Sequence, residues 1–320
     1  GINDCVDFKG EFKDLVERFD PAVDVVVSAH THRFYVCQFG NTLVTSAGSY
    51  GTLVTEIDLK LDRESGDVVG KSARNLVVRP DGARDPRLTE LVERYKTLSQ
   101  PMEARVVAKL ARELPNVSNE AGESPMGNLI ADAQAGAFRI SAAQVQQLGL
   151  SPAQLAADGT MRPIAFNNRG SVRSPLIPAA DGSVTYGDVF KVQPFQNDLI
   201  AMVLTGRQIK LLLEQQFTRP RPEVMGVSTG FAYAWDLSRP AGDRVIAESI
   251  RVNGQPLVMT ERYRIVANSF IAAGGDGFSI FVEGTDRYSG LLDLEALVNY
   301  LSVETPYSPP PLGQRITRLK

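Results

Sequence analysis

The apolar positions of the chain change period along its length, and each change marks an element. Phe12, Leu15, Val16 and Phe19 recur at helical spacing, so residues 11–19 are expected to form an amphipathic helix. Pro21 follows it. Val23 to Val27 is then a short, mostly apolar run, the pattern of a strand buried on both faces. Ser28-Ala29-His30-Thr31-His32 comes next, at that strand's C-terminal end, where α/β folds place their sites. Residues 41–47 and 51–61 read as further strands. In the second, Thr52, Val54, Glu56 and Asp58 alternate with Leu53, Thr55, Ile57 and Leu59 at period two. Glu64-Ser65-Gly66-Asp67 is a turn.

The first unit is expected to end at residue 78. Residues 79–101 read as a linker of Arg, Pro, Asp and Gly followed by a helix with Leu88, Leu91, Val92, Tyr95 and Leu98 on one stripe. The second unit takes residues 102–320. Ser124-Pro125 supplies an N-cap and an N1 proline to a helix that turns Leu129, Ile130, Ala133 and Ala137 inward. Strands are expected at 164–166, 199–204, 231–235, 245–252 and 263–269, and a helix at 208–217. Asn253-Gly254 is a hairpin turn.

Composition sets the class. Hydrophobic residues are 43% and charged residues 22%, as in an ordinary globular protein. A net charge of −3 argues against a nucleic-acid polymer as partner, because that function needs a basic face. A small anionic ligand stays open, since a few local arginines suffice for it. No run of about 18 apolar residues occurs, so no transmembrane helix is expected. Cys5 and Cys37 are the two cysteines. They stand as two separate buried thiols, or as one disulfide worth roughly 3–4 kcal/mol in an oxidising compartment.

His30 and His32 are the two histidines of the chain, and a His-x-His pair after a buried strand can present two imidazoles to metal. Val25-Val26-Val27-Ser28-Ala29-His30-Thr31-His32 resembles the Gly-His-x-His motif that closes the ligand set of calcineurin-like metallophosphoesterases, with Ala29 in place of the usual glycine. Four later segments resemble the C-terminal domain of 5′-nucleotidases. They are Glu123-Ser124-Pro125-Met126-Gly127-Asn128-Leu129-Ile130-Ala131-Asp132-Ala133, Asn168-Arg169-Gly170-Ser171-Val172-Arg173, Val192-Gln193-Pro194-Phe195 and Gly274-Gly275-Asp276-Gly277. Their order and spacing agree with the family over nearly the whole chain.

The resemblance implies an α/β protein: the C-terminal part of an αββα metallophosphatase domain over 1–78, a linker helix, and a substrate-binding domain. It implies hydrolysis of nucleoside 5′-monophosphates by two divalent metals, zinc or manganese, outside the cytoplasm, in the periplasm, secreted or at the cell surface. His30 and His32 are then the last two metal ligands. The family's Asp-x-His, bridging Asp and Asn-His ligands are not in this sequence. The chain is therefore expected to be an N-terminally truncated portion, inactive alone, whose first unit exposes strand edges and apolar faces and is prone to aggregation or local disorder.

Carried over by position, Phe195 and Phe270 sandwich the base, Asp276 binds ribose hydroxyls, Asn168 contacts base or ribose, and Arg173 reaches the phosphate. An isolated Phe at a strand end would more often pack in a core. Arg169 and Ser171 replace family glycines, so a bulkier loop and an altered base pocket are expected. Gly122 replaces an arginine that some members carry, and Arg169 is expected to serve in its stead. Cyclic 2′,3′-nucleotides, nucleotide sugars or another phosphoester, and a non-catalytic nucleoside-binding module, remain the alternative readings.

Overall fold

Residues 1–6, 8, 11–139, 163–219 and 221–320 are described by a computed structural model of the chain. Two units, Gly1–Val92 and Glu93–Lys320, divide within the helix that joins them.

In the first unit, helix α1 (Glu11–Val16) is shorter than its apolar stripe. Arg18 and Phe19 instead donate backbone bonds three residues back, to Leu15 and Val16, which tightens the end before Pro21. Strands β1 (Val25–Val27), β2 (Phe34–Phe39) and β3 (Thr42–Ala47) form a sheet of order β1-β3-β2, with β1 parallel and β2 antiparallel to β3. β4 (Leu53–Leu61) and β5 (Val68–Val77) form an antiparallel hairpin across the expected turn. There Asp62 Oδ1 accepts from the Glu64 and Ser65 amides.

Val16, Tyr35, Cys37 and Val44 make this unit's small core, with Phe8, Phe12 and Phe19 packed against it. Asn75 fastens the hairpin to it: its Nδ2 donates to the carbonyls of Ser46 and Ile2, and its Oδ1 accepts from Thr55 Oγ1. The expectation of a strand buried on both faces is corrected here. β1 lies at the edge of its sheet among the described residues, Val25 and Val26 are half-buried, and Val27 is 72% exposed. The hairpin also leaves Val54, Leu61, Val69 and Val77 open, as expected of this unit's apolar faces.

The joining helix α2 (Pro86–Glu103) leads to β6 (Val106–Lys109) of the second unit, where α3 (Pro125–Ala137) starts at Ser124, whose side chain accepts from the Gly127 amide. β7 (Ile164–Asn167) and β8 (Ser183–Thr185) precede α4 (Tyr186–Val192), β9 (Asp198–Thr205) and α5 (Gly206–Gln215). β10 (Gly226–Val227), β11 (Phe231–Trp235), β12 (Arg251–Val252), β13 (Gln255–Pro256) and β14 (Arg262–Asn268) follow. Then come α6 (Ser269–Ala272), β15 (Thr285–Leu292), α7 (Asp293–Val303) and β16 (Ile316–Arg318).

The central sheet runs β10-β7-β14-β9-β15, with β7 and β14 parallel and the other pairs antiparallel. Strands β7, β9 and β14 alternate between its two faces. Ile164, Phe166, Met202, Leu204, Ile265 and Ala267 face α5 and the second sheet, β13-β12-β11-β16. Ala165, Leu199, Ala201 and Val266 face Ala131 and Ala135 of α3 and Ala296 of α7. Small residues there let helix and sheet lie close. The outcome is an α/β fold whose parallel pair, β7 and β14, ends on one edge, and the loops after both strands carry the candidate site.

Candidate functional site

β7 ends in Asn167, and after Asn168 the residues Arg169–Ser171 make one 3₁₀ turn. Neighbouring β14 ends in Asn268, which caps α6. Because the two strands are parallel, both loops emerge at the same end. They meet through side chains: Asn268 Nδ2 donates to Asn168 Oδ1 at 2.9 Å, and Asn168 Nδ2 donates to Asp276 Oδ2 at 2.8 Å. Asn268 and Asn168 are buried, whereas Asp276 is half-exposed.

The Gly274–Gly277 segment is shaped by positive φ. Gly274 (91°) and Gly277 (84°) take it at no steric cost, and Asp276 itself sits at 56°. Gly275 has a different reason. A Cβ there would lie 2.6 Å from the Phe270 carbonyl oxygen and 2.7 Å from its ring, so the ring rests directly on the glycine backbone.

Phe270 is 49% exposed and Phe195 53%. Neither fills a core, unlike Phe166, which is fully buried. The Arg173 guanidinium lies over the Phe195 ring, 5.5 Å from its centroid, and Nη1 donates to the Gly170 carbonyl at 3.4 Å. A Cβ on Gly170 would stand 3.8 Å from Asp276 Oδ2. Phe195, Arg173, Gly170, Asp276, Gly275 and Phe270 thus form one contiguous line of neighbours. Two open aromatic rings, a carboxylate and an arginine along one edge can stack a planar ring, accept from hydroxyls and pair with an anion.

The departures from the glycine-rich loop resolve separately. Ser171 is buried beneath the loop, where its Oγ bonds Asn167 Oδ1 at 2.8 Å and the Asn168 carbonyl at 2.9 Å, so it adds no bulk to the exposed side. Arg169 is exposed. Gly122 has φ 89°, and a Cβ there would lie 2.5 Å from Val224, so no arginine fits at that position.

The Glu123 to Ala133 motif is structural. Asn128 Nδ2 donates to Glu123 Oε1, and Glu123 Oε2 accepts from the Gly313 amide. Asp132 pairs with buried Arg315 through two bonds and accepts from the Thr229 amide. These residues clamp the C-terminal segment onto α3. The motifs of the sequence do not single out Asn268 or the role of Gly275. An Asn that ends a strand just before Ser-Phe-Ile-Ala carries the N-cap signal that points to the first of them.

The model of the 5′-nucleotidase C-terminal domain matches residues 104–283, more than half of the chain. The chain belongs to the 5′-nucleotidase C-terminal domain family. A solved 5′-nucleotidase precursor of Thermus thermophilus is 29% identical with a TM-score of 0.63, over 93% of this chain and 59% of that one. Endonuclease YhcR of Bacillus subtilis is 26% identical over 91% of this chain and 22% of its own length. The human 5′-nucleotidase is 25% identical over 91% of this chain and 54% of its own. The chain thus spans between about a fifth and three-fifths of the length of these proteins.

In the first unit of this family member, the metal-ligand candidates His30 and His32 follow β1 and are both exposed. Their φ values, 70° and 55°, are left-handed, a conformation that costs a non-glycine residue on the order of 1 kcal/mol or more. The loop is anchored before them: Ser28 Oγ bonds Tyr35 Oη at 2.6 Å and donates to the Thr45 carbonyl at 2.8 Å. His32 packs edge-on to Tyr50. No group of three or more His, Cys, Asp or Glu side chains that could hold a metal occurs among the described residues. Two imidazoles from one loop do not complete a two-metal site. Cys5 and Cys37 are joined in a disulfide, with Cys37 buried in the first unit's core.

Proposed function

We propose that the second unit holds a nucleoside 5′-monophosphate for a phosphoester hydrolase of the 5′-nucleotidase type. The observation that carries this reading is the line from Phe195 to Phe270, in which both aromatic rings are half-open and Asp276 lies between them in the chain of contacts. Phe195 and Phe270 stack the base. Asp276 accepts from the ribose hydroxyls. Arg173, with Arg169 on the same turn, pairs with the phosphate, for which a guanidinium fork is suited. His30 and His32 would supply two of the ligands of a divalent pair, zinc or manganese, whose chemistry there would be to activate a water and to neutralise phosphoryl oxygens. With that donor set incomplete, the chain by itself holds the nucleotide without hydrolysing it. A place outside the cytoplasm belongs to the same proposal and is supported by the Cys5–Cys37 disulfide.

Calorimetric titration of the chain with adenosine and with its 5′-monophosphate tests the reading. Saturable binding of both is expected, with the monophosphate tighter. Phe270→Ala should weaken both by on the order of tenfold, since base stacking on one ring is worth roughly 1–3 kcal/mol. Arg173→Ala should narrow the monophosphate's advantage. Absence of binding to the wild-type chain would remove the nucleoside reading and leave the fold.

A further inference from the structure

Two buried asparagines stand behind the half-exposed carboxylate of Asp276, and their hydrogen bonds have a direction that can be read without ambiguity. The Asn268 side chain caps α6 by accepting from the Ile271 backbone amide at 3.1 Å. A backbone N–H can only donate, so the atom facing it is Oδ1, and the other end, Nδ2, must be the donor. That donor meets Asn168, whose facing atom is therefore its oxygen, at 2.9 Å. The Asn168 Nδ2 is then left to point at Asp276 Oδ2, at 2.8 Å. One backbone amide at the start of a four-residue helix thus fixes the polarity of the whole relay.

Burial sets which member can touch a ligand. Asn268 is 1% exposed and Asn168 4%, while Asp276 is the open end. Each end of the Asn168 amide already has a protein partner, and little of it is reachable.

We propose that Asn268 and Asn168 are positioning residues that aim Asp276, and that Asn168 acts on a bound nucleoside through that carboxylate and not by contact with the base. The inference rests on the proposed nucleoside site. Neutral donation from Asn168 holds one carboxylate oxygen, which leaves Oδ1 to accept from a ribose hydroxyl. Asn268 also caps the helix that carries Phe270, so the orientation of the carboxylate and the seating of the ring depend on one side chain. Discrimination is then expected at the sugar hydroxyls.

The test compares adenosine with 2′,3′-dideoxyadenosine, which keeps the base and lacks the hydroxyls, by calorimetry on the whole chain. Wild type should bind adenosine on the order of tenfold or more tighter, as for a hydrogen bond to a charged group. Asn268→Asp keeps the cap acceptor but presents an oxygen to Asn168, which turns that amide over and sets its oxygen against Asp276. Asn168→Ala leaves the cap intact and removes the relay's last donor. Each should cut adenosine affinity on the order of tenfold and leave dideoxyadenosine within about twofold. Equal loss of both ligands in Asn168→Ala overturns the inference, because it marks a base contact or a general structural role. Unchanged adenosine affinity in both variants overturns it as well. A wild type that binds neither ligand overturns the nucleoside reading and the inference together, whereas a wild type that binds both with no preference overturns the inference alone.

Discussion

At the scale of single residues, the site depends on positions with little or no side chain of their own. Gly275 is bare because the Phe270 ring and carbonyl occupy the space where its Cβ would go, at 2.7 and 2.6 Å. The carbonyl is backbone and cannot step aside, so Gly275→Ala must move the ring or the loop. That variant should lose adenosine affinity by on the order of tenfold, the scale of one stacking face, and should lose thermal stability too. Calorimetry and a thermal melt on the same sample check both. Affinity equal to wild type would show that Phe270 does not need this seat to receive a base. Ser171 makes the complementary point. Its sequence suggests a crowded loop, but a hydroxyl small enough to turn under the chain donates to Asn167 Oδ1 instead. Residue type alone does not show which way that side chain points.

At the scale of elements, periodic segments are legible in the sequence and polar or interrupted ones are not. The strand at 231–235 alternates cleanly and forms at those residues. The strand expected at 245–252 does not run through. Ala247–Ser249 is a 3₁₀ turn, because Ser249 Oγ donates to the Ile246 carbonyl at 2.6 Å and accepts from the Ala234 amide at 2.8 Å, replacing a ladder bond of β11. β15 gives no periodic signal over Thr285–Leu292 because its residues are mostly polar and exposed, as an edge strand with two register shifts allows. The motif helix α3 shows why a pattern can be visible while its purpose is not. Its Gly127 faces Gly226 of β10, where a Cβ on Gly226 would lie 2.7 Å from the Gly127 carbonyl oxygen. Helix and strand cross backbone to backbone there. Gly226→Ala should therefore destabilise the second unit by about 1–3 kcal/mol, the usual cost of overpacking. Urea unfolding monitored at Trp235, buried in that unit's core, reads the change. A midpoint equal to wild type would mean that α3 can shift away without loss.

At the scale of the whole molecule, each unit has a core of its own, and the two can be perturbed by different agents. Both cysteines lie in the first unit, where the Cys5–Cys37 bridge spans a sequence separation of 32 beside a core of few residues. Opening that loop should cost the first unit roughly 3–4 kcal/mol, most of what so small a core supplies. The second unit holds no cysteine and keeps its three clusters. A nucleoside that binds only its folded form should raise its stability by about 2.7 kcal/mol at a hundred times the dissociation constant. Melting followed by circular dichroism and Trp235 fluorescence should then separate two transitions. Reductant should lower the first and leave the second in place, and adenosine should raise the second and leave the first. A single transition moved by both agents would show that the units unfold together, and the protection given by a bound nucleoside would then extend to the histidine loop as well.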